Sequence, residues 1–380
     1  MVAIDSYAGG DGRLSPLSTP SATRAVLEAH GIGTKYTLGQ NFLVNDDVLK
    51  KIVALAEVGE NDRILEVGPG IGTLTIALLK HAAGVVAIER DPDLPAVLAD
   101  TLHPWREKFA LIEKDALDVT RDDIVAAMVE IGGDTRYPDR ASSAANETAQ
   151  WAVSQSEDCL SESGYPVSPP QEDLQLSLPS KLVANLPYAV AATVVLDYFE
   201  SFPFLDSATI MVQKEVADRM AAAVGTKNYG AYTVKLGLYA EPVGRFAVGP
   251  GNFFPPPRVD SAVIRLNRRV PLMADGAPAS PEVIAAAALM ADAAFTNRRK
   301  TIANSCKTYF SGRGPILLGV ADSSAAEGAP TIALPDGAAT AERLPAIFEA
   351  AAIDPRRRGE TLTQQEFLAL GAALLKVTAA

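Results

Sequence analysis

Six short runs of apolar and β-branched residues alternate along this chain with stretches in which apolar residues recur at helical spacing. The runs are RILEVG, GVVAIER, FALIEKD, KLVANLP, ATIMVQK and SAVIRLN; the first begins at Arg63 and the last at Ser261. Parallel strands need a long crossover connection, which a helix usually supplies. The alternation therefore predicts an α/β fold with a doubly wound, mostly parallel sheet.

Strand patterns stop after Arg269, and the helical patterns PEVIAAAALMADAAF, NRRKTIANSCKTYF and TQQEFLALGAALL follow. We therefore predict a flexible N-terminal tail over residues 1–20, a sheet domain over 21–269 and a smaller helical domain over 270–380. Polar residues that can cap a helix N-terminus predict three helix starts. These are Asn45, Thr120 with Asp123 in capping-box spacing, and Thr363 with Glu366 in the same spacing.

The formal net charge of -12 is unevenly distributed. Residues 133–180 hold eight acidic and two basic side chains, so this one segment carries -6. Its richness in Ser, Pro, Glu and Gln predicts a mobile, solvated insertion in the sheet domain. A second low-complexity segment is predicted to interrupt the helical domain over 319–340. The negative total does not exclude nucleic acid, because basic residues outside the insertion can still contact phosphates.

The first twenty residues contain no apolar run of signal-peptide length, and no later stretch of membrane length is free of charge. We therefore expect a cytoplasmic protein that does not enter a membrane. The two cysteines, Cys159 and Cys306, and the three histidines form no metal-ligand spacing. The sequence thus predicts neither a metal site nor a structural disulfide.

A glycine-rich run, EVGPGIG, follows the first predicted strand and opens a helix. Glycines at such a turn let a cofactor approach the backbone closely. The run has Gly68 and Gly70, but Thr73 stands where the last glycine of a dinucleotide fingerprint would be. The spacing favours a nucleotide-like cofactor without a pyrophosphate, in particular S-adenosylmethionine.

Two carboxylates follow the next two strands. Glu89 closes the second strand, about twenty residues after the glycines, where an acid can accept both ribose hydroxyl protons. Asp115 ends the third run and can accept a hydrogen bond from the exocyclic amine of the cofactor's adenine. Because the carboxyl ends of parallel strands meet in one crevice, these groups and the glycine turn predict a single cofactor site.

The fourth run ends in Asn185, Leu186, Pro187 and Tyr188, an unusual way to finish a buried strand. A candidate substrate at this strand end, beside the sulfonium methyl of the cofactor, is a second adenine. Its exocyclic amine is a poor nucleophile, because the lone pair of the nitrogen is delocalised into the ring. The Asn185 side-chain oxygen and the Leu186 carbonyl can accept both amine hydrogens and free that lone pair. Pro187 has no amide hydrogen and holds the carbonyl outward. Tyr188 offers a face on which a flipped base can stack.

Three further motifs bear on the substrate. FFPPPRVDS is a rigid proline run whose first residue, Phe253, could close the other side of the base pocket. Asn297–Lys300 with Lys307 is interpreted as a phosphate contact on a short helix, whereas Arg356–Arg358 is interpreted as a solvated face.

The ordered motifs closely resemble those of the ribosomal RNA adenine dimethyltransferases of the KsgA type. The resemblance runs from about Leu38 to Leu370 outside the two insertions, and it rests on GQNFL, EVGPGIGTLT, AIERD, KDAL, NLPY, VQKEVADRM, YGAYTV, FFPPPRVDSAVIRL and NRRKTIANS. It implies a class I S-adenosylmethionine-dependent methyltransferase fold with a helical, RNA-recognising C-terminal domain. The implied reaction transfers two methyl groups to each of two adjacent adenosines in a hairpin near the 3′ end of small-subunit ribosomal RNA.

The resemblance also implies roles for individual residues and partners. Matching residues in the family line the cofactor site or lie close to it: Gln40, Asn41, Leu43, Glu66, Gly68, Gly70, Glu89, Asp115 and Asn185. Others hold the target adenine: Asn185, Leu186, Tyr188 and Phe253. The expected partner is ribosomal RNA in a partly assembled 30S particle, bound by a monomer.

Three alternatives remain open at this point. A large-subunit ribosomal RNA adenine methyltransferase that confers macrolide resistance shares most of these motifs. Enzymes that methylate DNA adenine or a protein glutamine carry related Asn-Pro-Pro-Tyr motifs. The protein could also be chiefly an assembly factor that binds immature small subunits, with methylation secondary.

Overall fold

The computed structural model describes residues 12–33, 40–131, 178–319 and 331–379. Its strands, in chain order, are β1 Phe42–Leu43, β2 Arg63–Val67, β3 Gly84–Ile88, β4 Phe109–Ile112, β5 Lys181–Asn185, β6 Ser207–Gln213, β7 Ala240–Val248, β8 Phe253–Phe254, β9 Ser261–Arg268, β10 Ile316–Gly319 and β11 Thr331–Leu334. Its α-helices are α1 Pro20–Ala29, α2 Asp46–Ala56, α3 Thr73–Leu79, α4 Leu94–Thr101, α5 Arg121–Glu130, α6 Ala191–Ser201, α7 Lys214–Met220, α8 Ala231–Gly237, α9 Pro281–Phe295, α10 Ile302–Ser311, α11 Gly337–Ala350 and α12 Gln364–Ala379.

Seven strands form the central sheet in the order β4-β3-β2-β5-β6-β9-β7. Strands β2 to β6 run parallel, while β9 and β7 are antiparallel additions at one edge. The six predicted strands are all present, which confirms the doubly wound, mostly parallel α/β sheet. The strand order reverses at β2, which pairs with β3 on one side and β5 on the other. Such a reversal opens a crevice beyond the carboxyl ends of the strands.

Helix starts follow the expected capping chemistry. Asn45 accepts hydrogen bonds from the backbone N–H groups of Asp47 and Val48 at the start of α2. Thr120 and Asp123 form a reciprocal capping box at α5. Glu366 accepts from the Thr363 N–H, while the Thr363 hydroxyl accepts from the Glu366 N–H. These side chains satisfy backbone donors that have no partner inside the helix, so the three predictions are confirmed.

The sequence patterns miss strand β7, which forms an edge of the sheet. Its side chains are mostly exposed, and the pairing with β9 is irregular between Pro242 and Gly244. Proline cannot donate to a neighbouring strand, and it is tolerated at an edge where its missing N–H faces solvent. An exposed strand interrupted by Pro and Gly lacks the alternating apolar pattern from which strands are predicted.

The N-terminal tail predicted up to residue 20 is too long. Residues 1–11 lie outside the described residues, but Leu17 is buried and α1 is capped by Thr19. The Asp46 carboxylate accepts hydrogen bonds from the backbone N–H groups of Leu14 and Ser15. Residues 12–20 therefore pack against the start of α2, because a buried leucine and a carboxylate with two donors hold them there.

The prediction that no strand follows Arg269 is wrong. Strands β10 and β11 pair antiparallel, with Ile316 opposite Leu334. Ile316, Leu318 and Leu334 are buried in the core of the second domain, which explains why this short segment is ordered. The low-complexity insertion predicted over 319–340 is correspondingly shorter, since β11 begins at Thr331 and α11 at Gly337. Residues 320–330 lie outside the described residues.

The predicted sheet domain and helical domain share a core. Tyr229 and Val234 come from the sheet domain but pack among the buried apolar residues of the helical domain. The Tyr229 hydroxyl donates to the Leu362 carbonyl at 2.8 Å, and Lys235 lies 3.1 Å from the Asp292 carboxylate. The acidic insertion lies outside the described residues apart from its end, where Leu178 is buried.

No helix among the described residues is long and apolar enough to cross a membrane.

Candidate active site

A cavity of about 500 Å³ opens at the carboxyl ends of β2, β3, β4 and β5. Its position is the crevice where the strand order reverses. It brings together all but one of the residues predicted for the site: Gln40, Asn41, Leu43, Glu66, Gly68, Gly70, Glu89, Asp115, Asn185, Leu186 and Tyr188. Residues separated by almost 150 positions in the chain therefore face one space.

The glycine turn forms one wall of this cavity. Gly68, Gly70 and Gly72 have φ angles of 71°, 60° and 88°, a region that side-chain-bearing residues rarely adopt. A Cβ atom on Gly70 would also lie 3.1 Å from the Phe42 ring. The turn thus depends on glycine for its conformation, and it leaves backbone exposed to the cavity beside the start of α3.

Glu66 is the most unusual carboxyl group in the cavity. It is 1% exposed, and its Oε2 atom has no hydrogen-bond partner among the described residues. Burial raises the pKa of Glu66 to about 8. The side chain is therefore largely protonated near neutral pH, when nothing cationic is bound. Nearby in the cavity wall, the Thr73 hydroxyl is also buried without a partner in the described part of the chain.

Glu89 stands directly after β3 and is held by the following backbone. Its Oε1 atom accepts from the N–H groups of Arg90 and Asp91, both at 2.9 Å. Burial is the main cause that raises the pKa of Glu89. Gln40 reaches the same corner, since its Nε2 donates to the Asp91 carboxylate at 2.7 Å. This bond ties the segment before β1 to the end of β3 and closes that side of the cavity.

Asp115 follows β4, an edge strand of the sheet, and lines the cavity. Its Oδ1 accepts from the Leu117 N–H, and its Oδ2 accepts from the Arg90 guanidinium at 2.8 Å. The hydrogen bond from Arg90 lowers the pKa of Asp115 below its ordinary value. Asp115 is therefore a carboxylate at neutral pH, and each oxygen keeps a lone pair for one more donor.

Asn185 ends β5 in an orientation that its neighbour imposes. The Asn185 Nδ2 donates to the backbone carbonyl of Asn41 at 3.1 Å. Because the nitrogen of this amide is engaged as a donor, its oxygen is the atom that can accept from a ligand in the cavity that Asn185 lines. The Leu186 N–H donates to the Met211 carbonyl on β6 at 3.1 Å, which anchors Leu186 to the neighbouring strand, and Leu186 lines the cavity.

Tyr188 stands in the turn after β5 and is half-buried at the cavity wall. Its hydroxyl lies 2.5 Å from the Ser261 hydroxyl at the start of β9. Burial is the main cause that raises the pKa of Tyr188, so the phenol stays neutral. A neutral ring with a fixed hydroxyl suits the predicted stacking role.

Phe253 is the predicted residue that the structure does not bring to the cavity. Its side chain is 4% exposed and packs in the core with residues such as Leu17 and Val26. Strand β8 pairs with β1, with Phe253 opposite Leu43. The predicted closure of the base pocket by Phe253 is therefore not supported by its placement. The other motif residue, Phe254, lies under the Arg24 guanidinium at 5.3 Å.

The basic clusters occupy the surface of the helical domain. The sequence predicts that Asn297–Lys300 lies on a short helix, but the structure places these residues in the turn between α9 and α10. Arg298 pairs with Glu360 at 2.9 Å, whereas Arg299, Lys300 and Lys307 are exposed. In the second cluster, Arg356 pairs with Asp354 and Arg357 with Glu366.

The groups around the cavity fit the predicted cofactor, S-adenosylmethionine. Glu66 and Thr73 supply buried polar atoms that lack partners among the described residues, and the glycine turn offers a wall without side chains. Glu89 and Asp115, at the ends of the adjacent strands β3 and β4, supply carboxyl acceptors. The described residues contain no cluster of three or more His, Cys, Asp or Glu that could hold a metal ion.

Comparison with known proteins places this geometry in a family. Residues 33–329 match the family described as ribosomal RNA adenine dimethylase. Relatives from Geobacillus sp. (strain WCH70) and Enterococcus faecalis (strain ATCC 700802 / V583), both named ribosomal RNA small subunit methyltransferase A, are 33% identical to this chain. The alignments cover 95% of this chain and 98% and 97% of the two relatives. The chain belongs to the ribosomal RNA adenine dimethylase family.

The protein is accordingly a ribosomal RNA adenine dimethyltransferase with S-adenosylmethionine as methyl donor. Two solved structures share its fold. A dimethyladenosine transferase from Plasmodium falciparum is 19% identical with a TM-score of 0.55 and covers 88% of this chain and 98% of its own. The 23S rRNA methyltransferase ErmE is 20% identical with a TM-score of 0.50 and covers 88% of this chain and 99% of its own.

Sequence reasoning missed several residues of this dimethyltransferase site. Gln213, Arg90 and Lys114 line the cavity, and the Ser261 hydroxyl is hydrogen-bonded to the Tyr188 hydroxyl. Gln213, Arg90 and Lys114 follow or flank the ends of strands, a position that could have indicated them. No local signal marks Ser261, because its role depends on the antiparallel return of β9 beside β6.

Proposed function

We propose that this protein dimethylates the exocyclic amines of two adjacent adenosines in a hairpin near the 3′ end of small-subunit ribosomal RNA. It acts in the cytoplasm, as a monomer, on a partly assembled 30S particle. The observation that carries the chemistry is the Asn185 amide, which lines the cavity and whose nitrogen donates to the Asn41 carbonyl at 3.1 Å, so that its oxygen is left to accept from a ligand.

The small-subunit assignment has two supports. Relatives that align over nearly their whole length carry that name, whereas the 23S rRNA methyltransferase ErmE shares only the fold at 20% identity. The C-terminal helices and the ending IDPRRRGETLTQQEFLAL are also those expected of the small-subunit type. Both observations favour this substrate over the large-subunit alternative.

The chain contributes to the reaction mainly by binding and orienting the adenine. The Asn185 oxygen and the Leu186 carbonyl accept the two amine hydrogens, which draws the nitrogen toward tetrahedral geometry and frees its lone pair. When bound, the cofactor supplies an electrophilic sulfonium methyl to that lone pair. Pro187 has no backbone N–H, so it offers no donor that could compete with the adenine amine for the Leu186 carbonyl. Tyr188 stacks on the flipped base.

A strong general base is not required. The amine carries a positive charge after the methyl transfer, and a protonated aromatic amine is acidic enough to lose its proton to water. Glu66 is buried and Glu89 and Asp115 are engaged by backbone or Arg90 donors, so these groups bind and orient rather than remove the proton. Catalysis therefore rests on orientation and on the release of the lone pair.

RNA contact outside the cavity is assigned to the helical domain. Arg299 and Lys300 in the turn after α9 and Lys307 on α10 are exposed basic side chains. Lysine and arginine there can displace counterions from RNA phosphates. The paired arginines Arg356 and Arg357 are less available, which supports the interpretation of that cluster as a solvated face.

The test is transfer of labelled methyl from S-adenosylmethionine to small-subunit particles from a strain that lacks this gene, with mature large subunits as the control. Digestion to nucleosides should show dimethyladenosine in the small-subunit RNA alone. Label in the large subunit would support the macrolide-resistance alternative. Particle binding without any label would leave an assembly factor as the better account.

A further inference from the structure

The hydroxyl of Ser261 lies 2.5 Å from the hydroxyl of Tyr188, whose ring is assigned to stack on the target adenine. We infer that Ser261 is a positioning residue for methyl transfer, because it holds Tyr188 in the stacking position; the inference rests on the function proposed above. Ser261 is 0% exposed and does not line the cavity, so it acts through Tyr188 rather than on the substrate.

The position of Ser261 is set by the sheet. As the first residue of β9 it lies between two strands, opposite Gln213 of β6 on one side and Val248 of β7 on the other. The residue before it is also tied, since the Asp260 carbonyl accepts from the Lys214 N–H at 2.9 Å. A buried hydroxyl that is held between two strands has little freedom to move.

Tyr188 requires a fixed hydrogen-bond partner of this kind. It lies in a turn rather than in a helix or strand, and it is half-buried. The backbone before it is held by the Leu186 N–H, which donates to the Met211 carbonyl, and by the Pro187 carbonyl, which accepts from Val190 and Ala191. The hydrogen bond of 2.5 Å to Ser261 fixes the outer end of the ring. The ring of Tyr188 is then already in place to stack on a base. Without the hydrogen bond, the Tyr188 side chain would have to adopt this rotamer when the base binds.

The same bond links the base pocket to the cofactor side of the sheet. Ser261 pairs with Gln213, and Gln213 lines the cavity together with Tyr188. Asn185, two strands from β9, pairs with Met211 on β6. The amine acceptor and the stacking ring are therefore positioned from the same strand, β6. A displaced ring would misplace the amine relative to Asn185, which affects the chemical step as well as binding.

The experiment is a double-mutant cycle with Ser261→Ala, Tyr188→Phe and the combined variant, assayed for methyl transfer to small-subunit particles that lack the modification. Each single change removes one side of the hydrogen bond and keeps the aromatic ring. We expect each to lower kcat/KM by about tenfold, with kcat reduced as well as KM raised. The combined variant should be no worse than the weaker single variant, since the bond can be lost only once.

Ser207→Ala is the matched control. Ser207 is also buried and opposes Asn267 at the other end of the same β6–β9 pairing, far from the cavity. It should leave kcat/KM per folded enzyme close to that of the wild type. Calorimetric affinity for S-adenosylmethionine should be unchanged in Ser261→Ala and Tyr188→Phe, because the bond lies outside the cofactor groups.

The outcomes separate this inference from the proposed function. Independent, multiplicative losses in the combined variant, or a Ser261→Ala enzyme as active as the wild type, would overturn the positioning role while the function stands. If the wild type instead methylates large subunits, the proposed substrate fails, and the same four enzymes compared on that substrate still decide the role of Ser261. A wild type that methylates neither kind of particle would overturn both.

Discussion

Asn185 shows how one hydrogen bond can decide the chemistry available to a side chain. Its amide can present either nitrogen or oxygen to the cavity, and the Asn41 carbonyl selects the oxygen by accepting from Nδ2. The sequence indicates the amide at the strand end. Its orientation depends on a partner 144 residues away in the chain.

Asn185→Ala should abolish most methyl transfer, because both the acceptor and its orientation are lost. We expect kcat to fall by about 10²-fold or more, measured as label transferred to small-subunit particles. Asn185→Asp is the matched comparison, since it keeps an oxygen acceptor but has no hydrogen to donate to the Asn41 carbonyl. It should be nearly as impaired; full activity in Asn185→Asp would show that the bond to Asn41 does not matter.

Glu66 gives a prediction about stability and pH. Its folded-state pKa is raised to about 8, against an ordinary value of 4.5 in an unfolded chain. Between these values the folded protein holds a proton that the unfolded chain releases, so the free energy of unfolding falls as pH rises. Above pH 8 Glu66 is ionised in both the folded and the unfolded state. The free energy of unfolding is then lowered by the full cost of the buried charge. Glu66→Gln removes this dependence.

Thermal unfolding without cofactor, scanned from pH 5 to pH 9, measures that effect. The melting temperature of Glu66→Gln minus that of the wild type should increase with pH and level off above the folded-state pKa. Glu60→Gln, on an exposed side chain, is the control and should show no such trend. A constant difference for Glu66→Gln would contradict the raised pKa.

At the scale of elements, the turn between β2 and α3 is the part most dependent on particular residues. Gly70 has a φ of 60°, and a Cβ there would approach the Phe42 ring to 3.1 Å. Because Phe42 lies on β1, the glycine determines how closely this strand covers the cavity. The element and the site therefore depend on the same missing side chain.

Gly70→Ala should destabilise the protein by about 1–2 kcal/mol, from the left-handed backbone alone. The contact with Phe42 should also weaken S-adenosylmethionine binding, measured by calorimetry on the folded variant. Gly251→Ala is the control, since an added Cβ there meets nothing within 4 Å and φ is not positive. Equal affinities of Gly70→Ala and Gly251→Ala for S-adenosylmethionine would contradict the assignment of the glycine turn as a wall of the cofactor site.

At the scale of the whole molecule, the predicted sheet domain and helical domain share a core. Tyr229 enters the core of the helical domain from the sheet domain, and its hydroxyl binds the Leu362 carbonyl. The helical domain is thus held in a defined position relative to the cavity. The proposed RNA contacts at Arg299 and Lys300 depend on that position.

Tyr229→Phe removes only the interdomain hydroxyl and should lower the free energy of unfolding by about 1 kcal/mol. Denaturant unfolding measures the change, and methyl transfer per folded molecule should stay near the wild-type value. Tyr309→Phe on α10 serves as the control, because the half-buried Tyr309 ring keeps its packing on Phe310 and Arg313. If Tyr229→Phe is as stable as the wild type, the hydroxyl does not couple the domains.

Local sequence patterns determined the parts of this protein that depend on neighbours in the chain. The parallel strands, the capped helices and the glycine turn were predictable, because apolar periodicity, capping side chains and positive φ angles are local properties. The residues at the strand ends were predictable for a related reason. Parallel strands bring Glu66, Glu89, Asp115 and Asn185 to one edge whatever the detailed packing is.

Only the tertiary structure decided the features that join distant segments. The edge strand β7, the hairpin of β10 and β11 and the packing of residues 12–20 are stabilised by contacts with other elements, so no local pattern reports them. The same holds for the burial of Phe253 and for the bonds of Asn185 and Tyr188 to Asn41 and Ser261. Strand pairing and burial act between residues far apart in the chain, and these contacts determine how the predicted side chains point.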